Sequence, residues 1–539
     1  MKNSKLVFLL TLVLAFSVIM AACANEPTGN EGGSDSDGDE GTADNGGGEG
    51  GDLIASMASD IVGLDLHGSN DTYSSNVASN IYETLVYHDA ELELQNGLAE
   101  SYEQIDENTW EFKLREGVTF HDDSEFNADV VKANLDRILD PEIASQRAFL
   151  YDMIEEVEVV DTYTVRLITE YPFAPLPAHL AHNGGGMMSA DMIERDYEAM
   201  ENGEEPGSVI NEEAIGTGFF KFDSWSPGSE VKLVKNEDYW GEPAKVDSVT
   251  FRVVPEDGTR IADLNTGAAH IADPLSPSDV SQIEATDGMH VESTESVAMM
   301  YIGFNSQKEP FDDPNVRKAL SMAINKQSII DGIYDGHGLE ARSPLAPKVY
   351  GYNENIDVIE YDPEEAKSLL EEAGYGEGEL TITFNTSDHR ERQNIAENVQ
   401  QALAEIGVTA NIEMEEWGSY LESTANGEQE MFVLSWSTVT GDGDYGLFPL
   451  FHSSQQGSAG NRTFTEDEEL DEILMAARRN EDQEARLDQY IEAQNILADE
   501  AIILPLFHED YLLGVSDSVE GLWQHPTRRL MLQDVTINN

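Results

Sequence analysis

The apolar and polar positions of residues 380–436 change period repeatedly. ELTITFN alternates as a strand does, and Ile395, Val399, Leu403 and Ile406 then recur at helical spacing. VTANIEME alternates again, a second helical stretch follows, and MFVLSW closes the series as a short apolar run. This β-α-β-α-β order predicts an α/β fold with a largely parallel sheet. Ligands gather at the carboxyl ends of such strands, where backbone amides and loop side chains converge. The glycine- and acid-rich loop WSTVTGDGDYGLFPLF, residues 436–451, directly follows the last strand. Other helices are punctuated clearly. In DPEEAKSLLEEAGYG, Asp362 suits the N-cap, Pro363 the first turn and Gly374 the left-handed C-terminal position. DPNVRKALSMAIN repeats the opening at Asp313 and Pro314. Before residue 298 the strands are more hairpin-like, TWEFKL and YTVRLI among them, which implies a separate lobe.

Charge narrows the class of partner. The chain has 539 residues, enough for more than one lobe, with 30 Lys and Arg against 105 Asp and Glu and a formal net charge of -75. That excess repels nucleic acid and anionic membrane surfaces, so a nucleic-acid role is excluded. It is tolerable where salt shortens the Debye length to roughly 3 Å, which makes a saline habitat, and hence a halophilic protein, the expectation.

At the N-terminus Lys2 and Lys5 precede an apolar run to Met20, followed by Ala21, Ala22 and Cys23, the single cysteine of the chain. This reads as a signal peptide over residues 1–22 whose cleavage exposes a thiol. It resembles a bacterial lipobox, although Met20 stands where leucine is usual, and Cys23 is the expected lipidation site. Residues 24–52 are low in apolar residues and rich in glycine and acids, so residues 23–52 read as a lipidated cysteine on a flexible linker. Asp35, Asp37 and Asp39 imitate a calcium loop, but Glu40 and Gly46 occupy the positions that need glycine and glutamate.

Catalytic signals do not emerge. The sequence carries no phosphate-binding glycine motif with its lysine, no HExxH or comparable histidine spacing and no GxSxG elbow. No catalytic residue, metal or cofactor is therefore assigned, and the protein is expected not to be an enzyme.

Two longer stretches carry a family likeness. NTWEFKLREGVTFHDDSEFNADVV, from Asn108, resembles the signature of the family 5 extracellular solute-binding proteins, the peptide, nickel and glutathione receptors of ABC importers. Trp110, Phe112, Leu114, Arg115, Gly117, Val118, Phe120, His121 and Asp122 match in register, while Asp123 replaces the usual glycine. The segment reads as scaffold, with Arg115 and His121 structural. YIGFNSQKEPFDDPNVRKALSMAINKQSIIDGIYDGHG, from Tyr301, is similar to the family's crossing into its second lobe. GLAESYE, GTGFFKFDSW, NEDYWGEPAKVDSV and VEGLWQHP add supporting matches, and the opening loop is most similar to that of glutathione receptors.

The resemblance implies a two-lobed periplasmic-binding-protein-like fold, type II in its large cluster C form, with an extra subdomain in the first lobe. Lobe I would comprise residues 53–298 and 509–539, and lobe II residues 299–508. It implies a monomeric, lipid-anchored receptor on the extracellular face of the cell membrane, holding glutathione or a short peptide for an ABC permease. A nickel complex is the rival ligand, and a secreted hydrolase or a sensory or chaperone role are the rival classes. Dipeptide receptors hold the peptide ammonium with an aspartate where this chain has Val439, so Asp442 or Asp444 are candidates to replace it. For the ligand carboxylate, Arg390 is preferred and Arg392 is its rival, since both stand where helix amides attract an anion. Tyr73, Ser74 and Ser75 are expected from the first lobe with Tyr82 packed beneath them, and Trp436 and Tyr445 from the second. Trp523 and the glycine loop at His182 are expected to border the cleft.

Overall fold

Two long antiparallel strands, Met289–Phe304 and Ile503–Ser516, hold the fold together. The computed structural model describes residues 50–457 and 460–538, so the expected signal peptide, the expected lipidation site Cys23, the calcium-loop imitation and nearly all of the expected linker lie outside the described residues. On one side of the long pair, Met431–Ser437, Thr381–Ser387 and Thr409–Glu415 extend the sheet, and these three run parallel to one another. On the other side follow Ile271–Asp273, Asp52–Met57, Ser248–Val253, Glu230–Lys235 and Phe220–Ser226.

The β-α-β-α-β series lies where its pattern placed it. Between its strands run the helices Arg390–Glu405 and Trp417–Ala425. Ile395, Val399, Leu403 and Ile406 are all buried, because their spacing puts them on the face that packs against the sheet. Asp362 caps its helix by accepting from the amides of Glu364 and Glu365, and Gly374 takes a φ of 97°. A third outcome departs from the pattern. The loop after Ser437 is short, and a helix, Gly443–Phe451, begins inside it because the Asp442 carboxylate accepts the Asp444 amide.

Pro449 lies inside that helix and cannot donate to the carbonyl of Tyr445. The indole Nε1 of Trp436 donates to it instead, at 2.9 Å. A helix-breaking residue is thereby accommodated by a side chain from the preceding strand.

The molecule has two lobes, each with its own apolar core. Met300, Ile302 and Phe304 with Leu504, Leu506 and Phe507 belong to one core, whereas Leu513 and Val515 belong to another, so each long strand serves both lobes. Between Glu295 and Met299 the pairing shifts register, from Glu295 opposite Asp510 to Met299 opposite His508. The first lobe carries an extra subdomain, a four-stranded antiparallel sheet that includes Thr109–Leu114 and Thr164–Thr169, covered by the helix Ala128–Leu139. No helix among the described residues is long and apolar enough to cross a membrane.

Scaffold roles fit their chemistry. Arg115 donates to the carbonyl of Gly97 and lies over the Trp240 ring. His121 meets the Gly218 carbonyl through Nε2 and the Gly216 amide through Nδ1. A Cβ at Gly216 would collide with the carbonyl of Ile81, so only glycine lets this turn reach the residues behind the site helix Thr72–Ala78. Asp123, where the resemblance implies glycine, adopts a φ of 67°, a left-handed conformation that aspartate tolerates better than most residues.

Candidate functional site

The lobes face one another across a cleft with two compartments. The first encloses about 600 Å³, with Tyr73, Asp273, Glu509 and Arg528 facing Arg390 and Arg392. The second encloses about 470 Å³, with Asp71, Ser75 and Arg529 facing Trp417, Trp436 and Tyr445. Ser435, on the Met431–Ser437 strand, lines both. Each volume falls in the range of small-ligand sites.

The short helix Thr72–Ala78 sets the first-lobe wall. Asp71 caps it through one carboxylate oxygen, which accepts the Ser74 amide, while the other oxygen is buried without a partner. Tyr73 reaches the first compartment and Ser75 the second. Ser74 lines neither: its hydroxyl accepts from the amides of Val62 and Gly63 and so fixes the chain beside the helix. Ser75 accepts from Arg147, a buried guanidinium whose other acceptors are the Ser69 carbonyl and the Asn183 side chain. Burial in that neutral company lowers the Arg147 pKa and leaves positive potential behind the second compartment.

Arg392 is the better buried of the two helix-start arginines. It reaches the hydroxyls of Ser387 and Ser435, lies 4.6 Å over the Trp417 ring, and has no carboxylate in salt-bridge range among the described residues. Burial lowers its pKa, as expected of a desolvated cation with little compensation. Arg390 is exposed and occupied by its neighbour Glu391 at 3.3 Å, although its Nη2 reaches across to the Ser276 hydroxyl at 3.4 Å.

Opposite stand groups that sequence reasoning missed. Arg528 has a φ of 73°, lies 5.3 Å from the centre of the Tyr511 ring, and has its pKa raised because Asp273 and its neighbours outweigh the cost of burial. Burial raises the Asp273 carboxyl despite Arg528 and Arg260 nearby, and one of its oxygens has no partner. Glu509 is likewise raised, chiefly by burial. Among the described residues Arg529 bonds only to the Thr527 hydroxyl, and burial lowers it to about 10. One signal could have found the pair: adjacent arginines just after VEGLWQHP, in a chain with 30 cations against 105 acids.

Asp442 and Asp444 line neither compartment. Asp442 is paired with Arg486 and accepts from the Tyr490 hydroxyl, all three being buried. Asp444 lies 2.9 Å from Arg478 and 3.3 Å from His179, also buried. The expectation that either acid replaces the missing ammonium partner is corrected accordingly, because each is already neutralised inside the protein. Tyr445, by contrast, lines the cleft and stacks between Phe149 and Trp436, and Trp436 stands beside it. Tyr82 is buried in the first-lobe core, while His182 borders the second compartment. Trp523 lines neither compartment but a third space in the first lobe. Among the described residues, no group of three or more histidines, cysteines and acids is arranged to hold a metal ion.

Two lobes closing on a cleft lined by charges of both signs define a receptor for a small charged solute. Residues 93–458 match the bacterial extracellular solute-binding proteins, family 5 Middle, and the chain belongs to that family. It is 33% identical to the glutathione-binding protein GsiB of Shigella dysenteriae serotype 1 over 495 residues, covering 90% of this chain and 94% of that one. The Helicobacter pylori periplasmic binding protein DppA, in complex with the peptide STSA, superposes with a TM-score of 0.78 at 30% identity, covering 91% of this chain and 99% of that one. A dipeptide-binding protein of Pseudoalteromonas sp. SM9913 in complex with Met-Leu gives 0.78 at 25% identity, covering 90% and 100%.

Proposed function

We propose that this solute-binding protein captures glutathione or a short acidic peptide between its lobes and delivers it to an ABC permease. The observation carrying this reading is Arg392, a cation lining the cleft at the start of a helix, with hydroxyls and the Trp417 ring beside it and no carboxylate in salt-bridge range among the described residues. A ligand carboxylate there would gain a charge-assisted, forked contact and the favour of the helix amides. Arg529 provides for a second carboxylate in the adjoining compartment, and Asp273 and Glu509 offer acids for an ammonium. A ligand with two carboxylates and one ammonium satisfies this set, and burying any of those charges unpaired would cost several kcal/mol. Tyr73, Ser75, Trp436 and Tyr445 complete the walls, and Arg390 guards the entrance.

In this reading lobe I comprises residues 53–298 and 509–539 and lobe II residues 299–508, with the hinge at the register shift between Glu295 and Met299. Closure adds contacts only when ligand bridges the lobes, so binding shifts the population toward the form a permease recognises. The protein acts as a monomer, performs no catalysis, and is held at the membrane by lipid on Cys23. Its acid excess suits saline surroundings. Raising KCl from about 0.1 M to about 2 M should raise its unfolding temperature; an unchanged or lower value would dismiss salt adaptation.

Calorimetric titration with reduced glutathione, oxidised glutathione and a series of di- to pentapeptides tests the ligand. Saturable binding that is lost in Arg392→Ala supports the reading. Silence with every ligand would overturn it, whereas binding of peptides alone would remove glutathione from it.

A further inference from the structure

Behind the second compartment lies a third space, of about 490 Å³, lined entirely by first-lobe residues. Its walls are aromatic: Tyr82, Phe219, Tyr239, Trp240 and Trp523 contribute rings, and Tyr87 stands exposed at its outer edge. Most of its polar groups are already satisfied. Glu83 accepts from Tyr239, Trp240 and Thr217, and Arg115 is bound to the Gly97 carbonyl beneath the Trp240 ring.

Two residues, Asn183 and Arg529, line both this chamber and the second cleft compartment. The two spaces therefore adjoin at these two side chains. At their junction the Arg529 guanidinium has no carboxylate in salt-bridge range among the described residues. The Asn183 amide nitrogen is buried without a partner, so a donor at the junction remains unsatisfied.

We propose that the chamber is an annex of the ligand cleft that receives an aromatic group carried by an anionic ligand, with the anion held at Arg529. The inference rests on the cleft being the ligand site. It extends the substrate class from plain glutathione and small acidic peptides to their aromatic-substituted forms. A flat ring entering the annex would meet aromatic faces and remove apolar surface from water, and the residues already bonded there would lose nothing. A small parent ligand leaves the annex unfilled.

The test compares matched pairs by calorimetry on the full chain: reduced glutathione with S-benzylglutathione, and Glu-Gly-Gly with Glu-Phe-Gly. The free anion 3-phenylpropionate is titrated separately, because it needs the annex and Arg529 but no capture of a peptide. Ser79 lines only the annex, so Ser79→Trp should fill it and leave the parent ligands unaffected. Tyr87→Ala, at an exposed position, opens the outer edge without threatening the fold, and thermal unfolding confirms that both variants are folded.

The expected result is binding at least tenfold tighter for each substituted ligand than for its parent, with the advantage lost in Ser79→Trp and reduced in Tyr87→Ala. Equal affinities within the pairs, or an advantage that survives Ser79→Trp, would overturn the annex. Should neither pair bind, phenylpropionate decides: binding that disappears in Ser79→Trp keeps the annex and discards the peptide reading, and no binding discards both.

Discussion

Asp444 and Arg478 form an ion pair 2.9 Å long in which the carboxylate is buried, and the third member of the group, His179, approaches from the first lobe at 3.3 Å. Arg478 also covers the Phe173 ring, and its carbonyl accepts the amide of Ala174. This cluster joins the lobes beside the cleft, with Tyr445 packed into the first-lobe core next to it. Arg478 pulls the Asp444 carboxyl below its ordinary range against the cost of burial. Asp444→Asn leaves a buried guanidinium uncompensated and should lower stability by about 3 to 5 kcal/mol in urea unfolding. A direct ligand contact would instead show as lost affinity with unchanged stability.

Arg392 predicts the reverse pattern. Among the described residues no carboxylate lies in salt-bridge range of it, so Arg392→Ala should weaken ligand binding by about 10- to 100-fold while changing the urea midpoint far less than Asp444→Asn does. Arg392→Lys should recover only part of the affinity, since an ammonium cannot offer the fork. Calorimetry beside urea unfolding separates the two effects, and a large stability loss without an affinity loss would reassign Arg392 to the scaffold.

The indole of Trp436 satisfies a carbonyl that Pro449 leaves open. Trp436→Phe keeps the ring and removes the donor, so it should cost about 1 to 3 kcal/mol. Adding Pro449→Ala restores a backbone donor, and the double variant should regain most of that loss. Additive losses would show that the two residues do not compensate one another.

His121 supplies a pH dependence. Burial, above all, lowers its pKa from 6.5 to about 4, and Lys221 acts in the same direction while the Gly218 carbonyl and Asp122 oppose it. A ring whose folded pKa is depressed contributes stability that is fully present above pH 6.5 and is lost as pH falls through about 4, because the unfolded chain binds the proton first. Between pH 7 and pH 4.5 the parent should therefore lose about 2 to 3 kcal/mol more than His121→Gln, measured by urea unfolding at each pH. Identical losses would remove His121 from the acid response.

Local chemistry made much of this protein legible. Period and capping placed the β-α-β-α-β series and the helices at Asp313 and Asp362, because those signals act within a few residues of where they are read. The first-lobe wall was legible as far as Tyr73 and Ser75, but Ser74 turned inward, since one turn of helix sends adjacent side chains to different faces.

Partnership was not legible. Asp442 and Asp444 sit at the start of a helix, in a stretch that the sequence marks for ligand, and their charges are neutralised by Arg486 and Arg478, on later helices. Arg528 and Arg529 reach the cleft from the C-terminal tail, more than a hundred residues beyond the helix that carries Arg392. The sequence by itself determined the class of fold, its scaffold motifs and the helix start that lines the cleft, because propensity, periodicity and capping are short-range. Only the tertiary structure decided which charges are spent on one another and which remain for a ligand, because in a chain with 105 acids that depends on distances between side chains remote in sequence.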